Sequence, residues 1–287
     1  MTRFTRAAVA TAALTLATAG AQAVTLVGLT SASQLARIDT GNFAGATTTA
    51  ITGLAAGDKL VGIDLRPGDG KLYGLSQQNR IYTIDEMTGM ATSVAMLAGA
   101  PIQANLAYGI DFNPLADYNG MASLRLVASD GGNFAVNAST GAVTVATPIA
   151  AGFTGVAYTN SMVMPAMAPA APTLYYIHSG TDMLAKATGA FNNPAITTVG
   201  PLGGDVLRAN GFDIANGQGY AALNMDDGLL STGIYSIDLA TGSAMLLGSY
   251  GGTLTGLSVS AVPEPQTVAM LLAGLVAVGA MARRRST

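Results

Sequence analysis

The stretch 60–97, LVGIDLRPGDGKLYGLSQQNRIYTIDEMTGMATSVAML, decides the fold. It reads as four short strands, 61–65, 71–75, 80–85 and 90–97, rich in branched and aromatic residues and separated by turn-formers. Asp85, closing the third segment, is placed to accept N–H groups of the turn at 86–89, and Gly89 supplies its positive φ. The same hairpin recurs at Tyr235-Ser236-Ile237-Asp238 with Thr241-Gly242. A lone four-stranded sheet would leave apolar faces in water, so such units must pack on one another.

Two markers show how often the unit repeats. Thr-Gly pairs stand at Thr40-Gly41, Thr88-Gly89, Thr140-Gly141, Thr188-Gly189 and Thr241-Gly242, spaced 48, 52, 48 and 53 residues apart. Glycine followed by an apolar residue opens strand-like runs at Gly62-Ile63-Asp64, Gly109-Ile110-Asp111, Gly155-Val156-Ala157, Gly211-Phe212-Asp213 and Gly256-Leu257-Ser258, spaced 47, 46, 56 and 45 apart. A period near 50 predicts an all-β propeller of about five blades. The markers are out of phase at the ends: the first hairpin lacks an inner strand, and a spare strand follows Gly256. Pairing that C-terminal strand with the N-terminal hairpin closes the ring and removes open edges. An open β-solenoid or a β-sandwich is the alternative, but a solenoid has no use for complementary ends.

The two termini carry addresses. Arg3 and Arg6, the apolar run 7–19 and Ala21-Gln22-Ala23 follow the order of a secretory signal peptide, which predicts a signal helix cut by signal peptidase before Val24. At the other end, Pro263-Glu264-Pro265 precedes an apolar run, 267–282, and Arg283, Arg284 and Arg285. As a helix that run is about 24 Å long, a marginal transmembrane span whose arginines hold its end in the cytoplasm. The expected division is 1–23 signal, 24–260 propeller and 261–287 sorting segment. This tail resembles the PEP-CTERM sorting signal. The resemblance implies recognition and trimming by an exosortase, transient anchoring in the inner membrane, then residence on the surface or in the extracellular matrix of a Gram-negative bacterium.

Within the body, Leu60 to Pro67, Lys71 to Leu75, Tyr108 to Pro114, Asp117, Leu124 to Val127, Ser129-Asp130, Asn137, Gly155 to Asn160 and Thr255 to Leu257 resemble the exported bacterial family called domain of unknown function 4394. The stretch 118–123 departs from it as an insertion. The resemblance implies the β-repeat and the address, and no activity.

Charge and residue counts narrow the chemistry. Five of the 13 Lys+Arg lie in the two end segments, and one of the 16 Asp+Glu, Glu264, lies outside the body. The body therefore keeps 8 basic and 15 acidic residues, which repel nucleic acid. The absence of cysteine removes thiol nucleophiles and disulfide staples, and the single histidine, His178 in a strand end, leaves no cluster for metal. Asn113-Pro114 with Asp117, and Ser129 to Gly132, read as turns, and no phosphate loop is present. Met162, Met164 and Met167 in the insertion 161–172 offer thioethers that suit Cu(I), but the composition reads first as an apolar loop.

Asp64, Asp111 and Asp213 occupy equivalent positions in three units. As a turn device each accepts backbone N–H groups. Converging on the axis, they would be a candidate binding site for Ca²⁺ or for shared protons. The sequence thus predicts an exported scaffold or binding module that contacts exopolysaccharide or other envelope components. The alternative is a carboxylate-based hydrolase of carbohydrates or lactones at the propeller axis.

Overall fold

The computed structural model describes residues 23–207, 211–226, 228 and 231–260. The expected signal helix and the expected apolar helix of the sorting segment lie outside these residues. Among the described residues no helix is long and apolar enough to cross a membrane.

Short apolar strands divided by Asp/Asn/Gly turns fold into five antiparallel four-stranded sheets. The quoted stretch forms β4 (Leu60–Leu65), β5 (Leu72–Ser76), β6 (Arg80–Ile84) and β7 (Ala91–Met96), within a residue or two of the sequence reading. Next come β8 (Tyr108–Phe112), β9 (Ser123–Ala128), β10 (Asn133–Asn137) and β11 (Val143–Val145). A third sheet is β12 (Phe153–Tyr158), β13 (Thr173–His178), β14 (Met183–Thr188) and β15 (Thr197–Pro201). A fourth is β16 (Gly211–Ala215), β17 (Gln218–Leu223), β18 (Thr232–Ile237) and β19 (Ala244–Tyr250). The remaining sheet joins the two ends of the body: β20 (Leu254–Val259) pairs with β1 (Thr25–Thr30), followed by β2 (Gln34–Asp39) and β3 (Asn42–Ala50). The closing register runs Leu26↔Val259, Val27↔Ser258 and Gly28↔Leu257. The expected closure is present, with three N-terminal strands rather than a bare hairpin.

The innermost strands β4, β8, β12, β16 and β20 touch one another in that cyclic order, so the blades form a ring. Burial falls from axis to rim: β8 and β12 are wholly buried, while β7 and β11 are mostly exposed. Each of the five junctions has its own apolar layer. Tyr73, Leu75 and Ile81 meet Ile110, Phe112 and Leu124 at one junction. Val27, Leu29 and Leu35 meet Ile63, Leu72 and Tyr82 where the closing blade joins the next. Each fully buried Leu, Ile or Phe here contributes roughly 1.5–3 kcal/mol.

Several of the repeat markers are places where blades touch. The turn Asp or Asn caps the outer hairpin as expected: Asp85 Oδ1 accepts the Met87 and Thr88 N–H groups at 3.0 and 2.7 Å, and Asn137 Oδ1 those of Ser139 and Thr140 at 3.0 Å each. The glycine that follows also lies against the outer strand of the preceding blade. The Gly89 carbonyl takes the Thr52 N–H at 3.0 Å, and the Gly141 carbonyl takes that of Ala98 at 2.8 Å. At the axis, the inner-strand glycines let neighbouring backbones approach. A methyl group on Gly109 would lie 2.9 Å from the Gly155 Cα and the Val156 N, and one on Gly211 would overlap the Leu257 N.

Two local readings change. Asn113-Pro114 opens a one-turn helix, α1 (Pro114–Tyr118), rather than a plain turn: the Asn113 side chain caps the Ala116 N–H at 3.0 Å and proline takes the first position. Asp117 on α1 is buried and bonded to Arg66 Nε at 2.7 Å and to the Gly68 N–H at 2.6 Å, bolting the β4–β5 turn to the next blade. The insertion 161–172 is coil, tied at its neck by Asn160 Nδ2 to the Ala170 and Ala171 carbonyls and near its middle by the Met164 N–H to Pro67 O at 2.8 Å.

Because rigid backbone, not a side-chain tip, faces the missing Cβ, Gly109→Ala is expected to destabilise the ring by about 3 kcal/mol or more in urea unfolding. Gly251→Ala, with nothing within 4 Å, should change it by under about 0.5 kcal/mol.

Candidate functional site at the propeller axis

Strand alternation explains why the repeat carries an aspartate two residues after its glycine. Residues i and i+2 share a face, so a strand whose glycine is pressed toward the axis points the next like-facing side chain there too. The innermost strand is also an edge strand, whose inward N–H groups have no ladder partner and need an acceptor.

The structure supplies these acceptors from the neighbouring blade. Ser258 Oγ accepts the Leu65 N–H at 3.0 Å, Asp64 Oδ2 that of Phe112 at 2.7 Å, Asp111 Oδ1 that of Tyr158 at 3.0 Å, and Asp213 Oδ2 that of Val259 at 2.6 Å. In every case the donor is one residue past the equivalent position in the following blade. The fifth position is Ala157, which has no acceptor, and the N–H it would have served, that of Ile214, is taken by Asp213 Oδ1 at 2.6 Å. A belt of side chains therefore ties inner strand to inner strand at four of the five junctions. The expected use of the aspartates as backbone acceptors holds, but the bonds cross between blades instead of closing a turn.

The belt concentrates negative charge. Asp64, Asp111 and Asp213 are 4%, 2% and 6% exposed, and each offers an oxygen within 4.8 Å of the others. Among the described residues no Lys, Arg or His forms an ion pair with them. Burial pushes the Asp64 carboxyl well above the usual carboxylate range, and the neighbouring Asp213 charge adds to this. Burial does the same to Asp111, reinforced by Asp64 and Asp213. Burial also raises Asp213, with the Val259 and Ile214 N–H groups working against it. The Ser258 hydroxyl stands 3.2 Å from both Asp64 Oδ1 and Asp213 Oδ2 and can donate its proton to one of them. Chemically the cluster can share protons, or present a hard, all-oxygen set to a cation.

Asp64 and Asp213 floor a cavity of about 240 Å³ at this end of the axis, walled by Pro67, Met162, Val163 and Asn216. Beyond them the axis narrows: where the five glycines meet, the remaining space is about 10 Å³, room for no more than about one water. Methionines 162, 164 and 167 are exposed on the insertion. His178 ends β13, accepts the Gly180 N–H at 3.2 Å and stacks edge-on to Phe153 at 4.6 Å, apart from the carboxylates. Asp130 accepts the Gly132 N–H at 3.0 Å, as a turn residue should. The sequence reading missed Ser258 as a belt member, although Gly256-Leu257-Ser258 aligns it with the aspartates. It also missed the Arg66–Asp117 pair at the rim of this end, which nothing in either local sequence announces.

The model of the family described as Domain of unknown function (DUF4394) matches residues 34–258, and that of the PEP-CTERM protein-sorting motif matches 261–285. The chain belongs to the DUF4394 family, and its sorting motif implies export with exosortase processing and membrane anchoring for sorting. No curated protein matches it. Among solved structures it is similar to a chain of a nidogen/laminin complex, at 12% identity and TM-score 0.48, over 83% of this chain and 98% of that one. It is also similar to regucalcin, a calcium-binding protein from Agrobacterium tumefaciens str. C58, at 13% identity and TM-score 0.43, over 77% of this chain and 68% of that one.

An acid whose folded-state pKa is raised stabilises the fold fully below its unfolded pKa, near 3.8, and loses that contribution as pH rises through the folded value. Asp111→Asn keeps an acceptor for the Tyr158 N–H and removes one buried charge. It should stabilise the protein by on the order of 2 kcal/mol at pH 7.5, and the gain should vanish near pH 4, as read by denaturant titrations at both pH values. Thermal melts with Ca²⁺ and with chelator should coincide. A lower midpoint on chelation, together with a destabilised Asp111→Asn, would mean that a cation neutralises the cluster.

Proposed function

We propose that this family member is an exported, non-enzymatic binding or scaffold propeller, presented on the surface or in the matrix of a Gram-negative cell. The observation that carries this reading is the commitment of the axial carboxylates. Both oxygens of Asp64 and of Asp213 already bond the Phe112, Val259 and Ile214 N–H groups or the Ser258 hydroxyl, so they act as joints between blades. The acidic body argues against nucleic-acid partners and leaves exopolysaccharide or other envelope components as the contacts. Residues 1–23 are read as a leader removed by signal peptidase, 24–260 as the propeller and 261–287 as the segment handled by exosortase. In support, β1 begins at Thr25, β20 ends at Val259, and the sorting-motif match begins at 261.

One observation favours the rival hydrolase reading: Asp64 and Asp213 reach the floor of a cavity with raised pKa values, as an acid–base pair would. Assays of the purified protein against chromogenic glycosides and lactones decide between them. The expected result is no turnover above that of the Asp64→Asn/Asp213→Asn double variant, and turnover lost in that variant would establish the hydrolase. The address is checked by intact mass of the protein recovered from its host. A chain starting at Val24 and lacking Arg283, Arg284 and Arg285 is expected, and an untrimmed tail held in the inner membrane would overturn it.

A further inference from the structure

At the opposite end of the axis, where the inner strands begin, a second cleft of about 390 Å³ opens. Its polar wall includes Ser31, Ser33, Lys59, Gln77 and Asn105, drawn from three different blades, and Leu60, Val61 and Leu106 form an apolar part of its lining. None of those five polar side chains makes a hydrogen bond or ion pair with another described residue. By contrast, the amides of Asn79, Asn133, Asn137 and Asn160 donate to backbone carbonyls.

The backbone beneath these free groups is fixed. The Gln77 N–H donates to the Lys59 carbonyl at 2.8 Å, and the Lys59 N–H donates to Asp58 Oδ1 at 2.9 Å. Asn105 sits in the left-handed region at φ 66°, and Ala107 just beyond it exchanges bonds with Ser129 at 2.9 and 3.1 Å. No Asp or Glu lines the cleft, and Lys59 is the one charged residue in its lining.

We infer that this cleft binds a polyhydroxylated carboxylate, a uronic acid residue at the end of or within a polysaccharide. The inference rests on the binding reading above and gives it a ligand class. Hydroxyl and amide groups both donate and accept, which matches sugar hydroxyls. The apolar patch suits the C–H face of a pyranose, and one ammonium matches one carboxylate. A phosphate would be better served by arginine or by a nest of backbone N–H groups, and neither is in the wall. The volume is at the small end of the roughly 300–1,000 Å³ of small-ligand pockets, enough for a short saccharide segment.

The test is calorimetric and NMR titration of the mature protein with digalacturonate, with cellobiose as the neutral counterpart and acetate as the bare anion. Digalacturonate should bind about tenfold more tightly than cellobiose, and Lys59→Gln should abolish that difference with no change in Tm, because Lys59 is exposed and unpaired. Asn105→Gly, which keeps the left-handed backbone, should weaken both sugars. Shift changes should centre on Lys59, Gln77 and Asn105. Equal affinity of Lys59→Gln for digalacturonate, displacement of the sugar by equimolar acetate, or failure of digalacturonate to bind overturns the assignment. The binding reading then still stands if the protein is retained on host matrix polysaccharide. Turnover at the axial carboxylates would sink that reading while leaving digalacturonate affinity and its Lys59 dependence to decide this one.

Discussion

Five inner strands meet around an axis too narrow for side chains at their closest approach, and this crowding governs both the sequence and the chemistry of the ring. It requires glycine at positions 109 and 211, where even a methyl group would run into the next backbone, and favours it at 62 and 155, where a methyl group would press on Ile110 and Phe212. It also brings five unpaired strand edges together out of water, where their N–H groups must find acceptors. Belt positions in four of the five blades supply them to the following blade, so these bonds run in one sense around the ring, and at the fifth junction Asp213 serves the Ile214 N–H of its own strand. The two requirements are separated by two residues, the period of a strand.

The same constraint explains why the belt tolerates Asp, Asp, Ala, Asp and Ser at equivalent positions. What each site must provide is one oxygen within reach of the next N–H, and a hydroxyl at 258 does this as a carboxylate does. Where alanine leaves the oxygen out, a neighbouring aspartate uses its second oxygen to cover the Ile214 N–H. Three carboxylates are then held within 4.8 Å with almost no solvent. The ionised form of a carboxylate is the better acceptor, yet three such ions cannot share a dry site. The belt is therefore drawn between hydrogen-bond strength and mutual repulsion, and burial wins, holding the group toward protonation.

Much of the architecture is legible in the sequence because the two repeat markers are physical contacts. Thr-Gly pairs such as those at 88 and 140 mark outer turns that lean on the preceding blade, and the inner glycines mark the axis, so their shared period counts blades. The phase difference between them exposes the split closing blade. The alignment of Asp64, Asp111 and Asp213 also predicts a cluster. Its true extent, including Ser258, is hidden when residue type rather than position is compared. The helix at Asn113-Pro114 is only five residues long and has no apolar periodicity to announce it, though its cap and proline are standard start signals. The cleft holding Ser31, Lys59 and Asn105 is not legible at all, since its convergence depends on which blades become neighbours and at what angle.

The constriction of the axis separates its two ends. In an open channel the two mouths share a solvent path, so a ligand at one end could act on groups at the other. Here roughly 10 Å³ remain between them, room for no more than about one water, and the walls are backbone glycines with apolar side chains such as Ile63, Ile110 and Leu257. No ligand larger than a water can pass between the carboxylate end and the lysine end, an acidic mouth and a weakly basic one on opposite faces of the same disc. Coupling between bound ligands there has to pass through the inner strands themselves. Leu60 and Val61 at one mouth and Asp64 at the other lie on a single strand only six residues long, so a ligand that shifts β4 along its axis would strain the Asp64 and Ser258 bonds at the far end.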